Sequence, residues 1–200
     1  DKVISSITYN LSSQAPQVEN LQLDGSASIN ATGTTGNNTI DGNSGANIID
    51  GKGGSDAMSG GAGNDTYVVD VTGDTVTETS TVTTEVDTVK SGANFTLGTN
   101  VENLELTGTG AINGTGNGSA NKITGNTAVN NIDGGTGNDT MSGGAGADNY
   151  TVDDTLDVVT ESVVSTLPAE KDTVTSSVTF TLGANVEDLT LNGGSINGTG

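Results

Sequence analysis

The sequence predicts an all-β chain, a parallel β-roll or β-solenoid built from glycine-rich nonapeptides inside a longer repeat of about 84 residues. Three observations lead there. First, the run from Gly134 to Thr151, GGTGNDTMSGGAGADNYT, is two copies of Gly-Gly-x-Gly-x-Asp, each followed by three residues with an apolar one in the middle. The glycine-dense part reads as a tight turn, and the last three residues as a very short strand. Second, this apolar position recurs in register in two separate blocks. Third, only 30% of residues are hydrophobic and 2% aromatic, against 31 glycines. A nine-residue unit with one apolar side chain cannot bury it alone, so it must stack on its neighbours.

Charge sharpens the picture and excludes partners. The formal net charge is −20, from 25 acidic and 5 basic residues. A compact fold with so few apolar groups and so much self-repulsion requires something cationic that the chain does not itself supply. Lys2, Lys52, Lys90, Lys122 and Lys171 are scattered and build no basic patch, so nucleic acid and anionic membrane surfaces are excluded as partners. No apolar run is long enough to insert into a membrane, and no signal-peptide pattern is present. With no Cys and no His, disulfides, structural zinc and thiol or imidazole catalysis are excluded.

A long period organises the chain. VENLQLDG at Val18 returns as VENLELTG at Val101 and VEDLTLNG at Val186, spacings of 101 − 18 = 83 and 186 − 101 = 85. Asp56, Asp65, Tyr67, Asp74 and Glu78 map onto Asp139, Asp148, Tyr150, Asp157 and Glu161 at an offset of 83. The DTV segment at Asp87 recurs at Asp172. The expected divisions are a first long repeat over 1–86, a second over 87–171 and the start of a third over 172–200. The chain then reads as a piece of a longer array, entered and left partway through a repeat.

Within the first long repeat the nonapeptides occupy 33–77: GTTGNNTID, GNSGANIID, GKGGSDAMS, GGAGNDTYV and the degenerate VDVTGDTVT. In the second they occupy 116–160: GNGSANKIT, GNTAVNNID, GGTGNDTMS, GGAGADNYT and VDDTLDVVT. Position eight is Ile40, Ile49, Met58, Tyr67 and Val76, then Ile123, Ile132, Met141, Tyr150 and Val159. These residues are the predicted core. The Thr/Val/Glu-rich segments between blocks, such as Thr81 to Asn100, read as strands that continue the solenoid with longer coils. VENLELTG places Leu104 and Leu106 on one strand face. With two nonapeptides per coil, a long repeat advances roughly 20 Å along the axis.

The turns carry the chemistry. Two units per coil place the sixth residue of one unit over that of the next unit but one, so carboxylates stack about one strand spacing apart. Such a column is repulsive unless a cation lies in it. Oxygen donors alone, from carboxylates and turn carbonyls, suit calcium, whereas magnesium demands stricter geometry and keeps its water.

GGTGNDTMS and GGAGNDTYV resemble the nonapeptide of the RTX (repeats-in-toxin, hemolysin-type) calcium-binding proteins. The resemblance implies a parallel β-roll that binds several Ca²⁺ ions between adjacent coils. Carried over, it assigns Asp56, Asp65, Asp139 and Asp148 as ligands, with Asp74 and Asp157 as the next turns in register. Carbonyl donors would come from Gly51, Gly53, Gly60, Gly134 and Gly143. Asn38, Asn47, Asn121 and Asn130 occupy position six of the first two units of each block. Their amide oxygens either ligate calcium weakly or hydrogen-bond along the solenoid as a ladder without metal. The Asp turns have a plainer alternative, since Asp and Gly are good turn formers, but it leaves the charge unexplained.

Asp153 and Asp154 read as an exposed turn rather than an acid/base pair, and Tyr67 and Tyr150 as bulky core residues rather than binding aromatics. Bacterial origin, implied by the resemblance, sets aside the Asn-x-Thr triplets as glycan acceptors. The expected function is a non-enzymatic, calcium-binding structural segment of a secreted bacterial surface protein: an adhesin stalk, a surface layer or an extracellular fibre. Its expected partners are neighbouring repeats of the same chain or other copies of itself. One alternative is a calcium-responsive folding and secretion appendage of an exported enzyme or toxin. Another is an ice- or glycan-binding solenoid, for which a cell-surface glycan would be the partner.

Overall fold

A computed structural model describes residues 1–161 and 171–200. The last part of the second long repeat expected from the sequence, 162–170, lies outside the described residues. The chain forms two compact units, one of Asp1–Ala93 with Gly98–Asn103 and the other of Asn94–Leu97 with Leu104–Gly200. Each is a parallel β-solenoid.

In the first unit, strands Lys2–Ser5, Asn20–Leu23, Thr39–Asp41, Ala57–Ser59 and Thr75–Thr77 lie side by side in that order. A facing sheet carries Tyr9–Asn10, Ala31–Thr32, Ile48–Asp50, Thr66–Val69 and Thr88–Ser91. The chain crosses from one sheet to the other at every turn, so a coil is two units. Ile40 pairs with Met58 and Met58 with Val76 on one side, while Ala31 pairs with Ile49, Ile49 with Tyr67 and Tyr67 with Val89 on the other. The last pairing places the segment after the nonapeptide block in the same ladder. A helix of four residues, Leu11–Gln14, interrupts this pattern; Asn10 caps it by accepting from the Ser13 N–H, and Leu11 is buried.

In the second unit, Phe95–Thr96, Gly114–Thr115, Asn131–Asp133, Asn149–Val152, Thr173–Ser176 and Asp188–Leu191 form one parallel sheet. Lys122–Thr124, Thr140–Ser142 and Val158–Val159 pair in parallel in another. Leu104 and Leu106 are buried on the same face of their strand.

The core is built from columns of inward side chains, one or two from each strand. All ten position-eight residues are buried, the most exposed being Val76 at 9%. Three-residue strands with the pattern exposed–buried–intermediate recur at Thr39–Asp41, Ile48–Asp50, Lys122–Thr124 and Asn131–Asp133. In these short strands one inward residue suffices because each stacks on the equivalent residue of the next coil, which buries apolar area continuously along the axis.

Candidate metal centre

The position-six side chains point inward, not out to solvent. Asp56 and Asp65 are each 1% exposed, Asp139 and Asp148 are fully buried, and Asn38, Asn47, Asn121, Asn130, Asp74 and Asp157 are also buried. A hydrogen-bond ladder links coil to coil: the N–H of one position-six residue donates to the carboxylate of the position-six Asp in the next coil. Asn38 donates to Asp56 Oδ1, Asn47 to Asp65, Asp56 to Asp74 and Asp65 to Asp87, at 2.7–3.0 Å. In the second unit Asn121 donates to Asp139, Asn130 to Asp148, Asp139 to Asp157 and Asp148 to Asp172.

The ladder uses one oxygen of each carboxylate, and the fate of the other divides the turns into three kinds. In the Asn turns the amide has its own partners. Asn38 Oδ1 accepts from the Thr34 N–H and its Nδ2 donates to the Glu19 carbonyl of the preceding coil. Asn47 and Asn130 likewise accept from Asn43 and Asn126 N–H and donate to the Ile29 and Ile112 carbonyls. Asn121 Oδ1 accepts from the Asn117 N–H. In the fifth unit of each block, Asp74 Oδ2 accepts from the Asp70 and Val71 N–H, and Asp157 Oδ2 from Asp153 and Asp154. Asp56, Asp65, Asp139 and Asp148 differ: in each, Oδ2 is buried with no hydrogen-bond partner among the described residues.

The glycines create the space in which these oxygens sit. A Cβ at Gly51, Gly60, Gly134 or Gly143 would overlap Oδ2 of Asp56, Asp65, Asp139 or Asp148 respectively. The same four glycines direct their carbonyl oxygens at the position-one glycines of the preceding coil, Gly33, Gly42, Gly116 and Gly125, where a Cβ would again collide. Position one is therefore glycine for room rather than for backbone angle. Positive φ falls instead at positions two and four, as at Gly61 and Gly63. Gly53, at position three, has open space around its would-be Cβ, with only Thr35 in ordinary contact.

Burial is costly for a charged carboxylate. It pushes Asp56, Asp65, Asp139 and Asp148 up to about 6; the ladder hydrogen bond opposes the shift, and neighbouring carboxylates such as Asp74, Asp87, Asp157 and Asp172 add to it. The ion pairs of Lys52 with Asp50, Lys2 with Asp41 and Lys171 with Asp188 lie at the surface and involve none of these four carboxylates. Four inward oxygens without donors, held against glycine turns, fit a hard cation that takes oxygen ligands. Such an ion would neutralise the column and tie one coil to the next.

A family model described as the RTX calcium-binding nonapeptide repeat (4 copies) matches residues 32–67 and 115–150. The first four units of each block match RTX repeats. Calcium is accordingly their cation, and the partnerless Asp oxygens lie inside the matched stretches. No curated protein and no solved structure matches the chain.

The structure also gathers residues that the sequence reading did not assign to the RTX sites. Asp87 and Asp172 extend the position-six ladder beyond each block, and Glu78 and Glu161 take the position-one place in the same sixth unit. Asp65, Glu78 and Asp87 are all buried, with one oxygen of each within 4.8 Å of the others, and Asp148, Glu161 and Asp172 repeat the arrangement. Burial pushes Glu78 up to about 8 and Glu161 up to about 7, aided by the neighbouring aspartates. The available signal was the offset of 83 relating Glu78 to Glu161, together with counting position six backwards from Val89 and Val174.

Proposed function

We propose that this chain is a calcium-rigidified building segment of a secreted bacterial surface protein, non-enzymatic in itself. The observation that carries the reading is the set of four buried, partnerless Asp oxygens inside RTX turns of a parallel solenoid. A chain of net charge −20 whose short strands each bury only one or two apolar side chains gains little stability from apolar burial, so calcium decides whether it folds. Extracellular calcium sites bind at roughly 10⁻⁴–10⁻³ M. At tenfold excess each contributes about 1.4 kcal/mol to the folded state. Several sites acting together switch the chain from disordered in low calcium to folded outside the cell, which suits export in an unfolded state.

Circular dichroism during a calcium titration, with magnesium as control, tests this. Strand signal should appear with calcium; a chain already folded in EGTA and indifferent to calcium would sink the reading. Surface labelling of intact source cells with an antibody to this segment tests the location.

A further inference from the structure

We propose that each RTX block closes on a second kind of calcium site, in which one turn aspartate is joined by two carboxylates from beyond the nonapeptides. The residues are Glu78 with Asp65 and Asp87 in the first unit, and Glu161 with Asp148 and Asp172 in the second. The inference rests on the reading that the turn carboxylates take calcium, and it adds a ligand set that the nonapeptide does not contain.

The geometry carries it in three steps. The three oxygens of each cluster lie within 4.8 Å of one another. Oxygens on opposite sides of a calcium ion, each at about 2.4 Å, are separated by about that distance. The side chains are also buried, and the oxygens do not compensate one another. Glu78 is 4% exposed, Asp65 1% and Asp148 fully buried, yet Glu78 Oε2, Asp65 Oδ2 and Asp148 Oδ2 have no hydrogen-bond partner among the described residues. Three buried carboxylates brought this close, with partnerless oxygens on Glu78 and Asp65 in one cluster and on Asp148 in the other, leave a concentration of negative charge that a divalent cation offsets.

The glutamates are, further, held in place. The hydroxyls of Tyr67 and Tyr150 donate to Oε1 of Glu78 and Glu161, and the N–H groups of Gly143 and Gly144 donate to the Glu161 carboxylate at 2.9 and 3.3 Å. Glutamate at position one thus reaches back over the turn of the preceding coil. In the nonapeptides the six-residue turn joins position one to position six directly. Here Glu78 and Asp87 stand nine positions apart, so an ion held by both ends clamps the base of a lengthened turn. With three carboxylates for one ion, the site should bind more tightly than the nonapeptide turns.

Terbium, excited through tyrosine, reads these sites because Tyr67 and Tyr150 touch the glutamates. The wild-type chain should take up two terbium ions with tyrosine-sensitised emission at least tenfold more tightly than the rest. Glu78→Gln and Glu161→Gln should each remove one, and the double variant both, while calorimetry still records the weaker calcium uptake. A double variant with unchanged number and affinity of calcium ions overturns this inference and leaves the nonapeptide reading intact. A wild-type chain that binds no calcium overturns the reading beneath it. If the Gln variants fail to fold in saturating calcium, the wild type decides: absence of the two tight, tyrosine-sensitised ions overturns the proposal.

Discussion

The hydroxyl of Tyr67 donates a hydrogen bond to Glu78, eleven residues further along the chain, and both side chains are buried. Tyr150 and Glu161 repeat the pairing in the second unit. A tyrosine expected to serve only as a bulky core residue therefore has a polar function as well, because a buried phenol needs a partner for its O–H. Its ring fills the position-eight column while its hydroxyl orients a carboxylate at the solenoid edge.

Tyr67→Phe keeps the ring and removes the hydroxyl. A hydrogen bond to a carboxylate is lost, so each unit should lose about 1–2 kcal/mol. The thermal midpoint in saturating calcium should fall by several degrees. A midpoint unchanged in both Tyr67→Phe and Tyr150→Phe would show that the hydroxyls contribute nothing.

The Asn turns show what an amide does at position six: Asn38 Oδ1 finds the Thr34 N–H and its Nδ2 finds the Glu19 carbonyl. Asp56→Asn and Asp139→Asn should therefore relieve a buried, partnerless oxygen. Each change should stabilise the calcium-free chain by about 1–3 kcal/mol and blunt its response to calcium. Chemical denaturation in EGTA and in calcium measures both. A variant less stable than wild type in EGTA would contradict the assignment of those oxygens.

Gly60→Ala and Gly143→Ala place a methyl group where Asp65 Oδ2 and Asp148 Oδ2 lie. Overpacking of this kind costs about 1–3 kcal/mol, and it should also weaken calcium binding by displacing a ligand. Gly53→Ala, which has room, is the control. Equal effects at Gly53 and Gly60 in a calcium titration would reject the steric explanation.

The pH dependence follows from the direction of the shifts. Asp56, Asp65, Asp87, Asp139 and Asp148 are raised from 3.8 to about 6 in the fold, Glu161 from 4.5 to about 7 and Glu78 from 4.5 to about 8. Raised folded values mean that the folded chain holds more protons than the unfolded one, so stability is greatest below about pH 4 and is lost as pH climbs to about 8. In EGTA the chain should be more folded at pH 5 than at pH 7.5, and calcium should restore the fold at pH 7.5. A calcium-free fold that strengthens between pH 4 and 8 would reverse the sign and reject the account.

The parts legible in the sequence are those that repeat locally. Position eight could be counted from Ile40 to Val76 and from Ile123 to Val159 because each nonapeptide places its one apolar residue at the same phase. The inward column follows from that phase and the tight turns. Even the longer segments joined the ladder, as the pairing of Tyr67 with Val89 shows. The meeting of Asp65 with Glu78 and Asp87 was not legible in this way, since it depends on how far a lengthened turn carries the chain before it returns to register.

By itself, the sequence determined the repeat, the buried register and the need for a cation, all consequences of spacing and composition; the two-unit coil, a premise there, is shown by the pairing of Ile40 with Met58 and of Ile49 with Tyr67. Only the tertiary structure decided which oxygens need that cation. Asp56 and Asp74 occupy the same place in their units, yet Asp74 Oδ2 has the Asp70 and Val71 N–H groups and Asp56 Oδ2 has none. The difference arises from the path of the backbone around each turn, because a hydrogen-bond donor satisfies a buried charge only when the fold places it within about 3 Å.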